Sequence, residues 1–366
     1  MPLVVIRNRT ANLEDIIGTG VEGSVFSFNN ECCVKLFSSE YCTDDRQAKV
    51  TRLAEIFDGR PSEHLAYPLD LVFQSDSAGK RKWAGFLMPV IGNAVEIKAM
   101  LYSGDDFQIR DRSGGTDLSI SDTQAIGLCI ESFAALEGLH ALRIVVGDLN
   151  DGNVMISLDP PNAAFVDVDS FQLEGEACLV NAEDFLDPHV YARSKTLKGR
   201  FYFTPQSDIY ALAIIWFTTL FGAHPYSGIC IVDGKPLNQI FRKLNGICFL
   251  QHIAPYSARY ASTKYVVIEK SGMRARAAEL SQLCPNLLNF FADVFCGNMR
   301  RSLAHYFDAK DPWQRRVESI IHPFLKPNDT DRKFNSYDVN RDFSEIADPT
   351  ILGHFLEQYQ ISPRLP

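Results

Sequence analysis

Between Ile16 and Phe37 short apolar runs are broken by glycine and polar residues: D-I-I, G-T-G-V-E-G, S-V-F-S-F, an N-N-E turn, then C-C-V-K-L-F. That pattern predicts a strand, a glycine-rich turn, a second strand, a hairpin and a third strand. From Thr43 to Phe57 the period changes. An N-cap candidate and early acids precede Val50, Leu53, Ala54 and Phe57 at helical spacing, which predicts a helix with one buried face. Two further strand-like runs, Leu69 to Gln74 and Trp83 to Ile91, flank the polar loop S-D-S-A-G-K-R-K.

After Ile91 a long polar stretch, G-D-D-F-Q-I-R-D-R-S-G-G-T-D, separates two helical patterns and is expected to be a mobile surface insertion. Ser121 or Asp122 can cap a long helix to His140, with Ile126, Ile130, Phe133, Leu136 and Leu139 on one stripe. Asp208 to Phe221 and Pro285 to Phe295 also have helical patterns. The longest apolar run, Ile209 to Phe221, falls short of the ~20 residues that span a bilayer, so it is expected to be a buried helix. The tail beyond about Leu325 is rich in Asp, Asn, Lys and Pro and is expected to be loosely packed or to bind a partner.

A chain of 366 residues suggests two domains or one domain of two lobes. With 46% hydrophobic and 22% charged residues it has the composition of a globular protein, not of a disordered or collagen-like one. The net charge of −9 disfavours a nucleic-acid partner. The opening M-P-L-V-V-I-R-N-R-T lacks the pattern of a secretory signal, so a cytoplasmic location off the membrane is expected. Nine scattered cysteines without a C-x-x-C pair are expected to be reduced, buried thiols.

Four elements bear on phosphate chemistry, and their order matters more than any one of them. Gly18-Thr19-Gly20-Val21-Glu22-Gly23-Ser24-Val25 is a G-x-G-x-x-G-x-V turn between strands. Glycines let a backbone approach a polyphosphate, although a hairpin needing positive φ would use them too. A dinucleotide fingerprint would lead into a helix, and this turn leads into a strand. Lys35 follows twelve residues after Gly23, flanked by apolar neighbours, and needs an anion or a route to solvent. I-V-V-G-D-L-N-D-G-N-V-M-I places Asp148 and Asn153 five residues apart in a polar loop, as a carboxylate base and an amide metal ligand would be; a turn of loop-favouring residues is the plainer reading. In F-V-D-V-D-S-F-Q two acids, Asp167 and Asp169, interrupt an apolar strand, and a divalent cation would relieve their repulsion.

In this order the motifs resemble the protein kinase superfamily over roughly Leu13 to Phe307, with L-E-G-L-H, S-D-I-Y-A-L-A-I-I-W-F and H-P-Y as further matches. G-D-L-N-x-x-N, D-x-D-S-F-Q and F-L-D-P-H look like a bacterial branch of Ser/Thr-kinase-like proteins. Some of its members accompany a von Willebrand A-type protein and a metal-dependent phosphatase in tellurite-resistance loci. The resemblance implies an α+β, bilobal protein-kinase-like fold. A sheet-rich N-lobe would occupy 1–91, a mainly helical C-lobe 92–325 and an extension 326–366.

It also implies an ATP- and Mg²⁺-dependent serine/threonine kinase, with Mn²⁺ as an alternative metal, acting on a partner protein of the kinds just named. Carried over by position, Gly18, Gly20, Gly23 and Val25 cover the nucleotide, Lys35 holds its phosphates, and Asp148 orients or deprotonates the acceptor hydroxyl. Asn153 and Asp167 hold the metal, with Asp169 as an alternative ligand because Asp167-Val168-Asp169 and Asp169-Ser170-Phe171 both fit the family triplet. Glu55 is the expected helix partner of Lys35, although the K-V-x-x-L frame would put Lys49 there. Met88 would be the gatekeeper, with Val90 and Ile91 offering backbone groups to adenine; Pro89 has no N–H to give. Asn150 stands where the family usually has a lysine near the γ-phosphate. Asp208 would brace the catalytic loop.

The family His-Arg-Asp is Val146-Gly147-Asp148 here, so control through a phosphorylated activation segment is not expected. Residues Asn181 to Pro205 occupy that segment, with Ser194, Thr196 and Thr204 as candidate phosphorylation sites and Arg193, Lys195, Lys198 and Arg200 as a docking patch. Asp148→Asn, Asp167→Asn and Lys35→Met are each expected to abolish transfer with the fold intact. The rival readings are a pseudokinase scaffold, which the altered triplet favours, and a small-molecule kinase.

Overall fold

The computed structural model describes residues 2–324 except 59, 61, 76–78, 103–105, 110–117, 159, 174–177, 179–181, 197–202, 233–234, 254, 261–265, 269–271 and 308–311. The expected extension 326–366 lies outside the described residues, as do Lys198, Arg200 and the side chains of Arg193, Ser194, Lys195 and Thr196. Among the described residues the chain is α+β, with a curled seven-stranded sheet and nine α-helices.

In chain order the first elements are β1 (Leu3–Ile6), β2 (Arg9–Asn12), β3 (Ile16–Thr19), β4 (Gly23–Ser27), β5 (Cys32–Phe37), α1 (Asp44–Phe57), β6 (Asp70–Ser75) and β7 (Arg81–Pro89). Next come β8 (Ala94–Glu96), β9 (Met100–Tyr102), β10 (Phe107–Ile109), β11 (Leu118–Ile120), α2 (Asp122–Ala141), β12 (Val154–Leu158) and β13 (Pro161–Phe165). Helices dominate thereafter: α3 (Pro188–Thr196), α4 (Pro205–Phe221), β14 (Ile229–Val232), β15 (Lys235–Pro236), α5 (Gln239–Leu244), α6 (Ser257–Tyr260), β16 (Val266–Ile268), α7 (Met273–Leu283), α8 (Pro285–Phe295) and α9 (Pro312–Ile321).

The chain packs as two compact units. One runs to Glu96 and takes in Gly152–Phe171; the other comprises Ile97–Asp151 and the described residues from Gln172 onward. In the first, antiparallel strands lie in the order β2-β1-β6-β7-β5-β4-β3. Side chains alternate across a strand, so β5 sends Val34 and Leu36 into one core and Cys33 and Phe37 into another, on the side where α1 packs Val50. Lys35 shares the face of Cys33 and Phe37 by the same alternation. Thr43 caps α1 by accepting the Arg46 N–H at 3.3 Å, Asp44 and Asp45 sit in the first turn, and Val50, Leu53 and Phe57 are buried.

The β1–β2 hairpin precedes Ile16, where the expected strands begin, and its tight turn takes positive φ at Arg7 (48°) and Asn8 (62°) without a glycine to announce it. The stretch Gly152–Phe171 is held to this unit from two sides. Strand β12 pairs with β8 and β13, and Phe165 exchanges backbone hydrogen bonds with His64 (2.9 Å) and Ala66 (3.0 Å).

In the second unit Ser121 and Gln124 form a capping box at the start of α2, and the helix is buried on nearly every side. Helix α4 begins at Pro205, three residues before the expected Asp208, because Thr204 and Ser207 cap it reciprocally and proline suits the first helical position. Thr204, expected to be an accessible hydroxyl, is this half-buried cap. Trp216 of α4 donates from Nε1 to Ser132 Oγ of α2 at 2.6 Å, so the two buried helices are joined by a satisfied polar contact.

The first of the two helical patterns expected after Ile91 does not form; Ala94–Tyr102 is β8, one 3₁₀ turn and β9. Phe107–Ile109, inside the polar stretch expected to be a mobile insertion, is the middle strand of a β11-β10-β9 sheet, with Phe107 and Ile109 buried. Much of the rest of that stretch lies outside the described residues. All nine cysteines are free thiols, six of them buried. Among the described residues no helix is long and apolar enough to cross a membrane.

Candidate functional site

Strands β3 and β4 join through a turn closed by Gly20 N–H donating to the Gly23 carbonyl at 2.9 Å. Gly18, Gly20 and Gly23 all have negative φ, so the hairpin does not need glycine for its backbone conformation. Gly23 is required by packing: a Cβ there would lie 2.0 Å from the Leu36 carbonyl oxygen on β5. Gly18 and Gly20 differ, since among the described residues a Cβ would meet nothing nearer than 3.7 Å and 4.0 Å respectively. Neither strain nor crowding by the described residues explains them, and a bare backbone there suits close approach of a ligand.

Lys35 is 8% exposed, and its Nζ donates to Asp167 Oδ1 and, at 2.6 Å, to Asp169 Oδ1. Burial works against its charge, but the carboxylates of Asp169 and Asp167 outweigh it and hold the ammonium above the ordinary lysine range. The two aspartates are unequal. Asp167 has a left-handed backbone (φ 62°) and a side chain 34% exposed, whereas that of Asp169 is fully enclosed. Burial pushes the Asp169 carboxyl above its ordinary range, with Lys35 opposing and Asp167 adding to the rise.

The helix partner expected for Lys35 is not there. Glu55 is exposed, two residues from each of the buried Leu53 and Phe57 and so on the far side of α1. Neither Glu55 nor Lys49 supplies the partner. Instead α1 presents Arg46, whose Nη1 lies 3.7 Å from Asp169 Oδ2. Arg46 also grips Glu22 of the glycine-rich turn with two hydrogen bonds, 2.7 and 2.8 Å, and lies over the rings of Phe37 and Tyr41. Sequence reasoning missed this network. Its signal was an acid inside the glycine-rich turn and a base in the first turns of the next helix.

Val25, Met88, Val90 and Ile91 pack with Val166 on one apolar cluster, so the residues expected around an adenine come together. Val90 is corrected as a hinge donor, because its N–H already serves the Glu31 carbonyl at 2.9 Å; a donor must come from beyond it. Asn153 belongs to the same unit, and its carbonyl accepts the N–H of Val166, the neighbour of Asp167, at 3.0 Å.

In the other unit Asp208, wholly buried, accepts from Val146 N–H at 2.7 Å and Gly147 N–H at 2.9 Å, with His140 Nε2 3.0 Å away. Asp208 thus braces the backbone at Val146 and Gly147. Val145 and Gln172 exchange backbone hydrogen bonds, and the Gln172 amide donates to the Phe203 carbonyl at 2.9 Å. Gly147 has φ 77°, and a Cβ there would lie 2.8 Å from Cys178 Cβ and 3.2 Å from the Phe203 ring. Glycine at this position therefore has a local cause. Asp148 is half-buried, and Asn150 donates from its side chain to the Asp148 carbonyl at 3.1 Å, which fixes the loop backbone.

Compared with models of known protein families and with curated proteins, the chain matches none.

Proposed function

We propose that this chain is an ATP- and Mg²⁺-dependent serine/threonine kinase that transfers a γ-phosphate to a partner protein. The observation that carries the reading is Lys35: a buried strand lysine, next to a hairpin with two unexplained glycines, ion-paired to a D-V-D segment 132 to 134 residues further on. A lysine needed only for stability would not require Gly18 and Gly20 beside it. Phosphoryl transfer depends mostly on positioning and charge neutralisation, and these residues supply both.

On this reading the turn's N–H groups and Lys35 hold the phosphates, and Val25, Met88 and Ile91 flank the base. Asp148, assigned from the resemblance, orients the acceptor hydroxyl. The side chains of Asn153 and Asp167 are hard oxygen donors of the kind Mg²⁺ takes, one or two of which suffice when phosphates complete its shell. The ion, when bound, neutralises charge on the transferring phosphate. Asp167 is the better donor of the two aspartates because its carboxylate is reachable from solvent. A cytoplasmic site of action, with a von Willebrand A-type protein as acceptor and a metal-dependent phosphatase opposing it, belongs to the same proposal.

The test is radiolabel transfer from γ-labelled ATP to the chain itself and to proteins encoded beside it. Label that appears with the wild type and is lost in Asp148→Asn supports the reading; retention in Asp148→Asn removes the base assignment. The scaffold alternative draws on Gly147 and on the missing helix glutamate. It predicts a nucleotide-dependent rise in Tm with no label on any protein.

A further inference from the structure

We propose that Asp169 is the residue that positions Lys35, in the place where a helix glutamate is expected, and that Asp167 alone of the two turns to the metal. The proposal rests on the kinase reading for what Lys35 holds, but its geometry lies wholly within the N-terminal unit.

Lys35, Asp167 and Asp169 together carry one positive and two negative charges. A buried lysine needs one permanent anion, so one carboxylate can leave for a cation without stranding it. The surroundings decide which. Both oxygens of Asp169 already face cations of the protein: Oδ1 receives Lys35 at 2.6 Å and Oδ2 lies 3.7 Å from Arg46 Nη1, with no hydrogen-bond partner among the described residues. A divalent ion at Oδ2 would meet the guanidinium at close range, in a pocket where charges are poorly screened. Asp167 also receives Lys35, at Oδ1, but it is not enclosed. Its side chain is one-third exposed, it stands at the start of the 3₁₀ turn Val168–Ser170, and Ser170 anchors its backbone carbonyl, leaving its carboxylate to reorient.

Arg46 then acquires a role. It lies on α1, where a glutamate would ordinarily reach Lys35, and it holds the free oxygen of Asp169 in place. Its two hydrogen bonds to Glu22 tie the same guanidinium to the glycine-rich turn. The alternation Lys35, Asp169, Arg46, Glu22 thus runs from β5 through the D-V-D segment and α1 to the phosphate-facing turn. A lysine partner on the D-V-D segment also explains why the family glycine is absent from that triplet: Asp169 occupies its position.

The experiment uses the full chain and two readouts. Affinity for a fluorescent ATP analogue is measured in excess chelator and in Mg²⁺. Asp169→Asn is expected to weaken metal-free binding about tenfold while preserving the ratio of the two affinities, and Asp169→Glu to recover part of the loss. Asp167→Asn is expected to hold metal-free binding within about twofold and to abolish the ratio. The second readout is acylation of Lys35 by an amine-reactive ester without nucleotide, followed by mass spectrometry. It should be slow in the wild type and in Asp167→Asn, and at least about tenfold faster in Asp169→Asn.

Loss of the Mg²⁺ ratio in Asp169→Asn, or fast acylation in Asp167→Asn, overturns the assignment. Because Asp167→Asn leaves the enclosed pair in place, that arm stands even if Asp169→Asn fails to fold. If the wild type binds no nucleotide, the kinase reading fails, while acylation still decides whether Asp169 holds Lys35.

Discussion

Asp187 and Arg300 meet in a pair from which water is excluded: Nε to Oδ2 is 2.5 Å, Nη2 to Oδ1 is 3.2 Å, and each side chain is 1% exposed. The guanidinium also lies 4.8 Å from the Tyr210 ring centroid on α4. Removing one partner of a buried pair strands the other charge, at a cost of about 3–5 kcal/mol. Asp187→Ala is therefore expected to lose roughly that much stability in urea unfolding, and Asp187→Leu combined with Arg300→Met to recover most of it. A single variant within about 1 kcal/mol of wild type would show that water reaches Arg300.

Gly147→Arg, which supplies the residue that the kinase resemblance would place here, should harm this protein. The backbone there is left-handed, which costs a residue with a Cβ about 1–2 kcal/mol. The overlap with Cys178 adds about 1–3 kcal/mol of overpacking. Gly147→Ala already has both defects and is expected to lower stability by about 2–5 kcal/mol. Adding Cys178→Gly removes the closest overlap but neither the Phe203 contact nor the strain, so denaturant unfolding should show partial recovery.

The glycine-rich hairpin, the lysine strand, α1, α2 and α8 were legible because each is specified locally, by turn residues, alternation or caps. The partner of Lys35 was not. It comes from 134 residues away, and nothing in the helical spacing of Glu55 or Lys49 could say that Arg46 faces inward instead. Asp187 and Arg300 are likewise 113 residues apart, so neither acid nor base looks unusual in its own segment. Nothing in the sequence around Gly147 announces that its φ and the proximity of Cys178 require a glycine there.

Lys35→Met, expected from sequence to leave the fold intact, should instead destabilise it. Without the ammonium, the enclosed carboxylate of Asp169 is left with Arg46 at 3.7 Å as its nearest cation among the described residues, beside Asp167. The expected loss is about 3–5 kcal/mol, measured by urea unfolding of the full chain. Lys35→Met with Asp169→Asn removes both charges and should regain most of it. Asp148→Asn is thus the cleaner probe of transfer.

Acid should weaken the second unit through His224. Burial, then the positive charge of Lys243, push its imidazole down to about 3, while Nδ1 accepts the Tyr226 N–H at 3.2 Å. Burial also lowers His189 in the same unit. In the unfolded chain a histidine takes up its proton near pH 6.5, and in the fold His224 stays neutral until about 3. Between these values the unfolded state binds more protons, so stability is fully present above about pH 6.5 and falls as pH drops toward 3, by up to about 1.4 kcal/mol per pH unit for one site. His224→Gln keeps an acceptor but cannot titrate, so urea midpoints measured from pH 7 to pH 4.5 should decline less steeply than in the wild type. Equal slopes would show that His224 is reached by water and protonated in the native fold.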